Sequence, residues 1–334
     1  MNLTGRSILV IGGAGYVGTV LTARLLEAGA RVRILDQLIY DNGFAVQHLL
    51  DRDGYSFMRG DLCDEATLKA AASGMTDVVL LASLVGDPIC KKNPELAVKV
   101  NQTGAQRIID SLDALGIGRF VFTSTCSNYG IHDSGSLATE TSALNPQSLY
   151  AETKIQVEKH LLERSKSSKA CGTVLRISTA YGLSPRMRFD LTVSQFAWEL
   201  ASGAPLLVYD ADTWRPYCHV RDISKAIMTV LLAPDDAVRG QVFNVGDTGQ
   251  QFTKRMIVEE IQKHLPGTQV EYRSGDTDPR NYRVSFDKIH KSLGFTCDMS
   301  VQTYLPRVVD AVRAGVFPAV RGDNRFGNYS VQHL

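Results

Sequence analysis

Tyr150-Ala-Glu-Thr-Lys154 sets a phenol and an ammonium four residues apart, which on a helix is one face. An unperturbed phenol titrates near ~10, too high for a base at neutral pH. A positive charge within a few ångströms favours the phenolate, which could take the proton of an alcohol while hydride leaves the same carbon. The same spacing also arises in helices whose tyrosine is core and whose lysine is solvated. The chemistry therefore depends on a hydride acceptor elsewhere in the chain.

The first element supplies one. Ser7 to Ile11 reads as a short buried strand, Gly12-Gly13-Ala14-Gly15-Tyr16-Val17-Gly18 follows, and Thr19 to Ala28 has helical periodicity ending at Gly29. Gly12 permits the tight turn, Gly15 lets backbone amides approach a pyrophosphate, and Gly18 lets the helix pack closely on the sheet. Tyr16 and Val17, inside the turn, join these glycines as expected cofactor contacts. A second strand, Arg31 to Leu35, ends at Asp36, 24 residues after Gly12 and near the spacing of a ribose-binding acid. Its carboxylate would accept the free 2′-hydroxyl of NAD and repel the 2′-phosphate of NADP, so the expected cofactor is NAD.

A hydroxyl partner for the phenol stands 25 residues before it. Phe122-Thr-Ser-Thr125-Cys126-Ser127-Asn-Tyr-Gly130 leaves an apolar strand in a hydroxyl-rich turn, where Thr125 could hold an alcohol against the phenolate. Such hydroxyls also cap turns.

The elements that must position these groups alternate through the first half. Strands are expected at Tyr55 to Met58, Asp77 to Ala82, Arg119 to Ser124 and Thr173 to Ile177, with helices near 64–73, 93–115 and 149–165. This repetition predicts an α/β fold with a doubly wound parallel sheet, its ligands at the carboxyl ends of the strands. Beyond Tyr181 regular alternation stops, and proline-bearing loops separate short strands (206–209, 241–245, 269–273) from helices near 190–202, 220–232 and 253–264. The expected organisation is a dinucleotide-binding Rossmann domain over 1–180, with 215–247 returning to it. A smaller α/β substrate lobe would comprise 181–214 and 248–320, and 321–334 a polar tail packed on the surface or on a partner.

Composition narrows the class. Lysine and arginine number 36 against 35 acidic residues, a net charge of +1, which points to neither nucleic acid nor an anionic membrane surface. Six scattered cysteines lack metal-ligand or disulfide spacing, so no metal is expected and the thiols read as reduced. No run approaches a membrane span and no leader precedes the first strand, so a soluble, cytoplasmic protein is expected.

With these residues in place the chain resembles the extended short-chain dehydrogenase/reductases that act on nucleotide sugars, a group containing epimerases and dehydratases. The agreement includes the Gly12/Gly15/Gly18 turn, Asp36, Gly60-Asp61-Leu62, Leu81-Ala82-Ser83, Asn101, the Thr125 turn, Tyr150 and Lys154. It continues in Arg215-Pro-Tyr-Cys-His219-Val-Arg-Asp222 and Phe243-Asn-Val-Gly246. The resemblance implies that Asp61 and Leu62 lie near the adenine, that Leu81, Ala82, Ser83 and Asn101 contact the cofactor, and that Lys154 also binds the nicotinamide ribose. It makes Thr125 the catalytic hydroxyl and Arg215 a grip on the sugar nucleotide's diphosphate, a task that suits the planar guanidinium fork. Arg186, Arg188 and Arg280, concentrated in proline-anchored loops, are further candidates for substrate contact, alongside the alternative of ion pairs. The partner implied is a UDP- or GDP-linked sugar, and relatives commonly form homodimers through helices matching 93–115 and 149–165.

Departures from the family pattern sharpen the expectation. Dehydratases carry an aspartate and a glutamate directly after the threonine, and here those positions are Cys126 and Ser127. Both remain candidate substrate contacts, Cys126 as either a tuned acid or a filler of the turn. Relatives usually have asparagine where Thr179 stands, at a position touching the diphosphate. The Leu84–Pro94, Ser184–Arg188 and Asp278–Arg280 stretches are similar to a bacterial GDP-heptose 4-dehydrogenase subgroup. Oxidation at C4 of a nucleotide sugar is therefore expected, ending in epimerisation or in release of a 4-keto sugar. The alternatives are a dehydratase with non-standard acid and base, and a non-catalytic dinucleotide-binding regulator.

Overall fold

A computed structural model describes residues 1–132, 135–275, 278–317 and 322–331. Seven strands form the principal sheet: β1 (Ser7–Ile11), β2 (Arg31–Asp36), β3 (Tyr55–Arg59), β4 (Asp77–Leu80), β5 (Arg119–Thr125), β6 (Cys171–Ile177) and β10 (Gln241–Val245). Their order is β10-β6-β5-β4-β1-β2-β3 and every pairing is parallel. Strand alternation explains the two covered faces. Ile8, Val10, Ile34, Val79 and Val121 pack with Leu21 and Leu25 of the Tyr16–Glu27 helix and with Ile223, Ile227 and Leu231 of the Val220–Leu232 helix. Leu9, Ile11, Val78, Leu80 and Phe122 face the other way, onto Leu68, Ile108, Ile109, Val157 and Leu161 from three further helices. Burial on both sides is why these strands read as nearly unbroken apolar runs.

The remaining strands are β7 (Thr179–Tyr181), β8 (Leu206–Tyr209), β9 (Trp214–His219), β11 (Gln251–Thr253) and β12 (Val270–Arg273). β9 lies between β7 and β11, and β8 pairs with β12. Their core joins Phe196 and Leu200 to Ile257, Ile261, Leu305 and Val309. Of the 215–247 stretch expected to return to the first unit, the 220–232 helix and β10 pack with the principal sheet, whereas β9 belongs to the smaller one.

The helix expected over 93–115 is interrupted. A π-helical segment, Val98–Gly104, separates Pro94–Ala97 from Ala105–Ser111 and contains Asn101, whose side chain is pinned to Leu84. The strand expected over Asp77 to Ala82 stops at Leu80, because the amides of Leu81 and Ala82 both turn to the Ile11 carbonyl. Among the described residues no helix is long and apolar enough to cross a membrane.

Candidate active site

A cavity of about 570 Å³ opens at the carboxyl ends of the principal strands and runs from the glycine turn to the loops of the smaller sheet. At Gly12, φ is +87° and a Cβ would fall 2.5 Å from the Ala82 nitrogen, so only glycine fits. A Cβ at Gly18 would lie 2.5 Å from the Gly12 carbonyl, which ties helix to turn. Gly15 meets only the Gly12 oxygen, at 3.4 Å, and it lines the cavity with Tyr16, Val17 and Gly18. Gly15 is also the N-cap of the Tyr16–Glu27 helix, with no side-chain cap and no acidic residue in the first turn. Uncapped amides and a positive helix end match the charge and donor needs of a dinucleotide's pyrophosphate.

Asp36 ends β2 inside the same cavity, its two oxygens accepting the Ala14 amide at 3.0 Å and the Leu38 amide at 2.9 Å. Burial raises its carboxyl above the ordinary value, and those two amides offset only part of that rise. Asp61, Leu62, Leu81, Ala82 and Ser83 also line the cavity. Asn101 does not. It is 1% exposed, accepting the Leu84 amide at 2.7 Å and donating to the Leu84 carbonyl at 3.0 Å, so it fixes the loop after β4.

The Leu149–Arg164 helix begins where Ser148 accepts the Ala151 amide, and it carries Tyr150 and Lys154 into the cavity wall. The Lys154 ammonium donates to the Thr123 carbonyl at 2.9 Å and sits 4.8 Å above the Phe122 ring. Burial pushes it down to about 8. Burial also raises the Tyr150 phenol; nearby Cys90 and Asp87 add to this, while the positive charges of Arg188 and Arg280 oppose it. In the protein alone the phenol is thus shifted opposite to the sequence expectation, because desolvation outweighs charge.

Thr125 closes β5 with its oxygen accepting the Ser127 amide at 3.1 Å, which leaves its proton free to donate into the cavity. Ser127 lines the cavity too, its hydroxyl 3.4 Å from that of Tyr282 and accepting from Arg280 at 3.3 Å. Cys126, expected as a substrate contact, does not line the cavity. It opens the short helical turn Cys126–Tyr129 after β5, where its buried thiol donates to the Arg176 carbonyl at 3.2 Å and burial pushes it up to about 12.

Thr179, Arg186, Arg188, Arg215 and Arg280 all border the cavity, but the arginines are already partnered. Asp278 holds Arg280 through both oxygens, at 2.7 and 2.8 Å, and Arg215 at 3.0 Å; Asp87 lies 3.2 Å from Arg280. Against the upward pull of burial, the Arg280 guanidinium keeps Asp278 well below the carboxylate range. Arg188 forms a two-point pair with Asp190, at 3.0 and 2.5 Å. Arg186 donates to the carbonyls of Asn324 and Gly327, at 3.1 and 2.9 Å, and stacks 5.2 Å over Tyr40. It braces the C-terminal segment.

Several residues escaped sequence reasoning. Glu158, one turn beyond Lys154, meets Arg176 at 2.7, 3.1 and 3.2 Å and also accepts from Asn128 at 2.8 Å and from Ser124. This buried network ties the helix bearing Tyr150 to β5 and β6 beneath Thr125; its only signal was the helical spacing of Lys154 and Glu158. In the second-half motifs, His219 caps the 220–232 helix by accepting the Arg221 amide at 3.1 Å, and Asp222 accepts the amides of Asp298 and Met299. Asn244 accepts from Tyr129 at 2.7 Å. Their roles are architectural. Asn328 and Tyr329 line the cavity without any sequence signal, and Arg321 and 332–334 of the expected tail lie outside the described residues.

Residues 8–246 match the family described as NAD dependent epimerase/dehydratase. The chain is 29% identical over 308 residues to a UDP-glucose 4-epimerase of Corynebacterium glutamicum, covering 86% of this chain and 90% of that protein. Identity to a dTDP-glucose 4,6-dehydratase of Streptomyces niveus is 28% over 300 residues, covering 86% and 87%. Among solved structures, the UDP-glucose 4-epimerase of Thermus thermophilus in complex with NAD superposes with a TM-score of 0.80 at 25% identity, covering 92% of this chain and 99% of that one.

Proposed function

This chain belongs to the NAD dependent epimerase/dehydratase family, and we propose that it oxidises C4 of a nucleotide-activated sugar. The observation that carries this reading is one cavity wall bearing Tyr150, Lys154 and Thr125, continuous with the uncapped helix end and Asp36. NAD, when bound, supplies the hydride acceptor. Gly12, Gly15, Gly18 and the first-turn amides would hold its pyrophosphate, Asp36 a ribose, and the two remaining N–H donors of Lys154 the second ribose.

Tyr150 is the base in this reading. Its proton must leave before it can accept another, and the charges of Lys154, Arg188 and Arg280 favour that loss against the cost of burial. Thr125, with its proton available, holds the sugar oxygen. Arg215 and Arg280 take the diphosphate, whose oxygens would replace the carboxylate of Asp278. A bare dinucleotide binder would not need the tyrosine, lysine and threonine together.

Dehydration needs an acid and a base beside the reacting carbons. Cys126 is buried off the cavity against the Arg176 carbonyl, Ser127 is a hydroxyl, and Asp278 is held ionised by two arginines. This favours epimerisation, with the cofactor unchanged after a cycle, or release of a 4-keto sugar. The Asp278–Arg280 and Ser184–Arg188 loops keep GDP-linked heptoses and hexoses beside UDP-sugars as substrates to be offered. Incubation with such a panel, followed by sugar NMR and cofactor absorbance, separates the two outcomes; a product lacking a C6 oxygen would overturn the reading in favour of dehydration.

A further inference from the structure

The C-terminal segment 322–331 forms a wall of the cavity, and its construction is specific. Asn324 folds the segment onto itself: its amide donates to the Ser330 carbonyl at 2.9 Å and hydroxyl at 3.0 Å, and its oxygen accepts the Ser330 amide at 2.9 Å. This closed turn is fastened to the loop after β7. The buried Arg186 guanidinium donates to the carbonyls of Asn324 and Gly327, the Phe189 amide donates to the Phe326 carbonyl at 2.7 Å, and the Asn328 amide donates to Asp190 at 3.3 Å. From there it crosses to the loop after β4, where the Asn328 side chain donates to the Val85 carbonyl at 3.1 Å. Phe326 packs on Phe44, 6.5 Å away in the segment after β2.

The segment therefore joins the loops after β2, β4 and β7, which border the cavity on three sides. It lies on the Asp36 side of that cavity, since Arg186 stacks on Tyr40 and is within electrostatic reach of Asp36. The Asn328 side-chain oxygen is buried without a donor, although Asn328 faces the cavity. A buried acceptor left unpaired is costly, and a hydroxyl-rich ligand would relieve it.

We propose that residues 322–331 are part of the dinucleotide site: a strap, latched by Arg186, that closes over bound NAD and retains it, with Asn328 accepting a hydrogen bond from the ligand. Bound dinucleotide cannot leave toward this side unless the strap's contacts to Val85 or to the Arg186 loop open first. The inference concerns cofactor release, and so it stands or falls separately from the sugar chemistry.

The test is the rate at which reduced dinucleotide leaves the protein when chased with excess oxidised dinucleotide, read by fluorescence without any sugar present. Three proteins are compared with the full chain: one ending at Phe317, and full-length Asn328→Ala and Gly327→Ala. In the last, the added Cβ would meet the Tyr329 ring at 2.3 Å and push that ring from its place in the cavity wall. Release at least roughly tenfold faster is expected in each, along with less dinucleotide retained through purification. Where truncation prevents folding, judged by circular dichroism, the two full-length variants decide alone. Release within about twofold of the full chain in the folded variants overturns the proposal, because interface changes of this kind act mainly on dissociation.

Discussion

The Lys154 ammonium sits 5.8 Å from the centre of the Tyr150 ring and is anchored by the Thr123 carbonyl, two residues before Thr125. Lysine, tyrosine and threonine are therefore placed by one helix and one strand end, and displacing either element would misalign all three. Replacement of Tyr150 by phenylalanine keeps the ring and removes the proton acceptor. Turnover should fall by roughly 10²–10⁴-fold, the usual worth of a positioned acid or base, with melting temperature and NAD affinity nearly unchanged. Kinetics with the active nucleotide sugar, beside a cofactor titration, check this.

Lys154 is held near 8 by burial, against ~10.4 in the unfolded chain. Between those values the unfolded state binds more protons than the folded one, so the lysine penalises folding at neutral pH and the penalty fades as pH rises through that window. Urea unfolding of the protein without cofactor should thus show a rising contribution of up to ~3 kcal/mol from pH 8 to 10, at ~1.4 kcal/mol per unit. In Lys154→Met this rise should vanish along with activity.

Asp36→Asn keeps the side-chain shape and removes the charge that repels a 2′-phosphate. NAD affinity should drop and the preference over NADP should narrow by roughly 10–100-fold, the worth of a charge-assisted hydrogen bond. Titration of each dinucleotide measures the ratio.

Glu158→Ala leaves the Arg176 guanidinium buried with its carboxylate gone. A loss of about 3–5 kcal/mol is expected by denaturant unfolding, partly regained when Arg176 is also replaced by methionine. A loss below about 1 kcal/mol in the single variant would show that water reaches the pair.

We propose a homodimer packed through helices matching 93–115 and 149–165, whose solution mass should be twice that of one chain. Charged substitutions at Val98, an exposed apolar residue of the π segment, should shift that mass toward the monomer.

Where sequence reasoning succeeded, the signal was local. β1, the glycine turn and the helix after it announce themselves through a switch of apolar period and through steric demands that only Gly12 and Gly18 meet. Asp36 and Tyr150 follow because each ends or begins an element whose pattern is plain. Residues that act through tertiary contact stayed hidden. β9 contains Pro216, whose missing N–H argues against a central strand, yet β9 pairs on both sides, with β7 and β11. Cys126 follows Thr125 so closely that only the direction of the chain at the end of β5 separates a cavity residue from a core one. The arginine loops gave charge without showing which carboxylates neutralise it, and the strap is polar and aperiodic because carbonyls fixed by Arg186 hold it in place of an apolar face.

The most direct test of the account uses nucleotide sugars deuterated at C4, UDP- and GDP-linked, with the label followed by NMR in wild type and in Tyr150→Phe. In the wild-type protein at least one of them should either invert at C4 with deuterium returned to that carbon, or become a 4-keto sugar with the deuterium on the cofactor, and both changes should be lost in the variant. Equal turnover in Tyr150→Phe, or unchanged C4 configuration together with full C4 label across the whole panel in protein saturated with NAD, would contradict C4 oxidation.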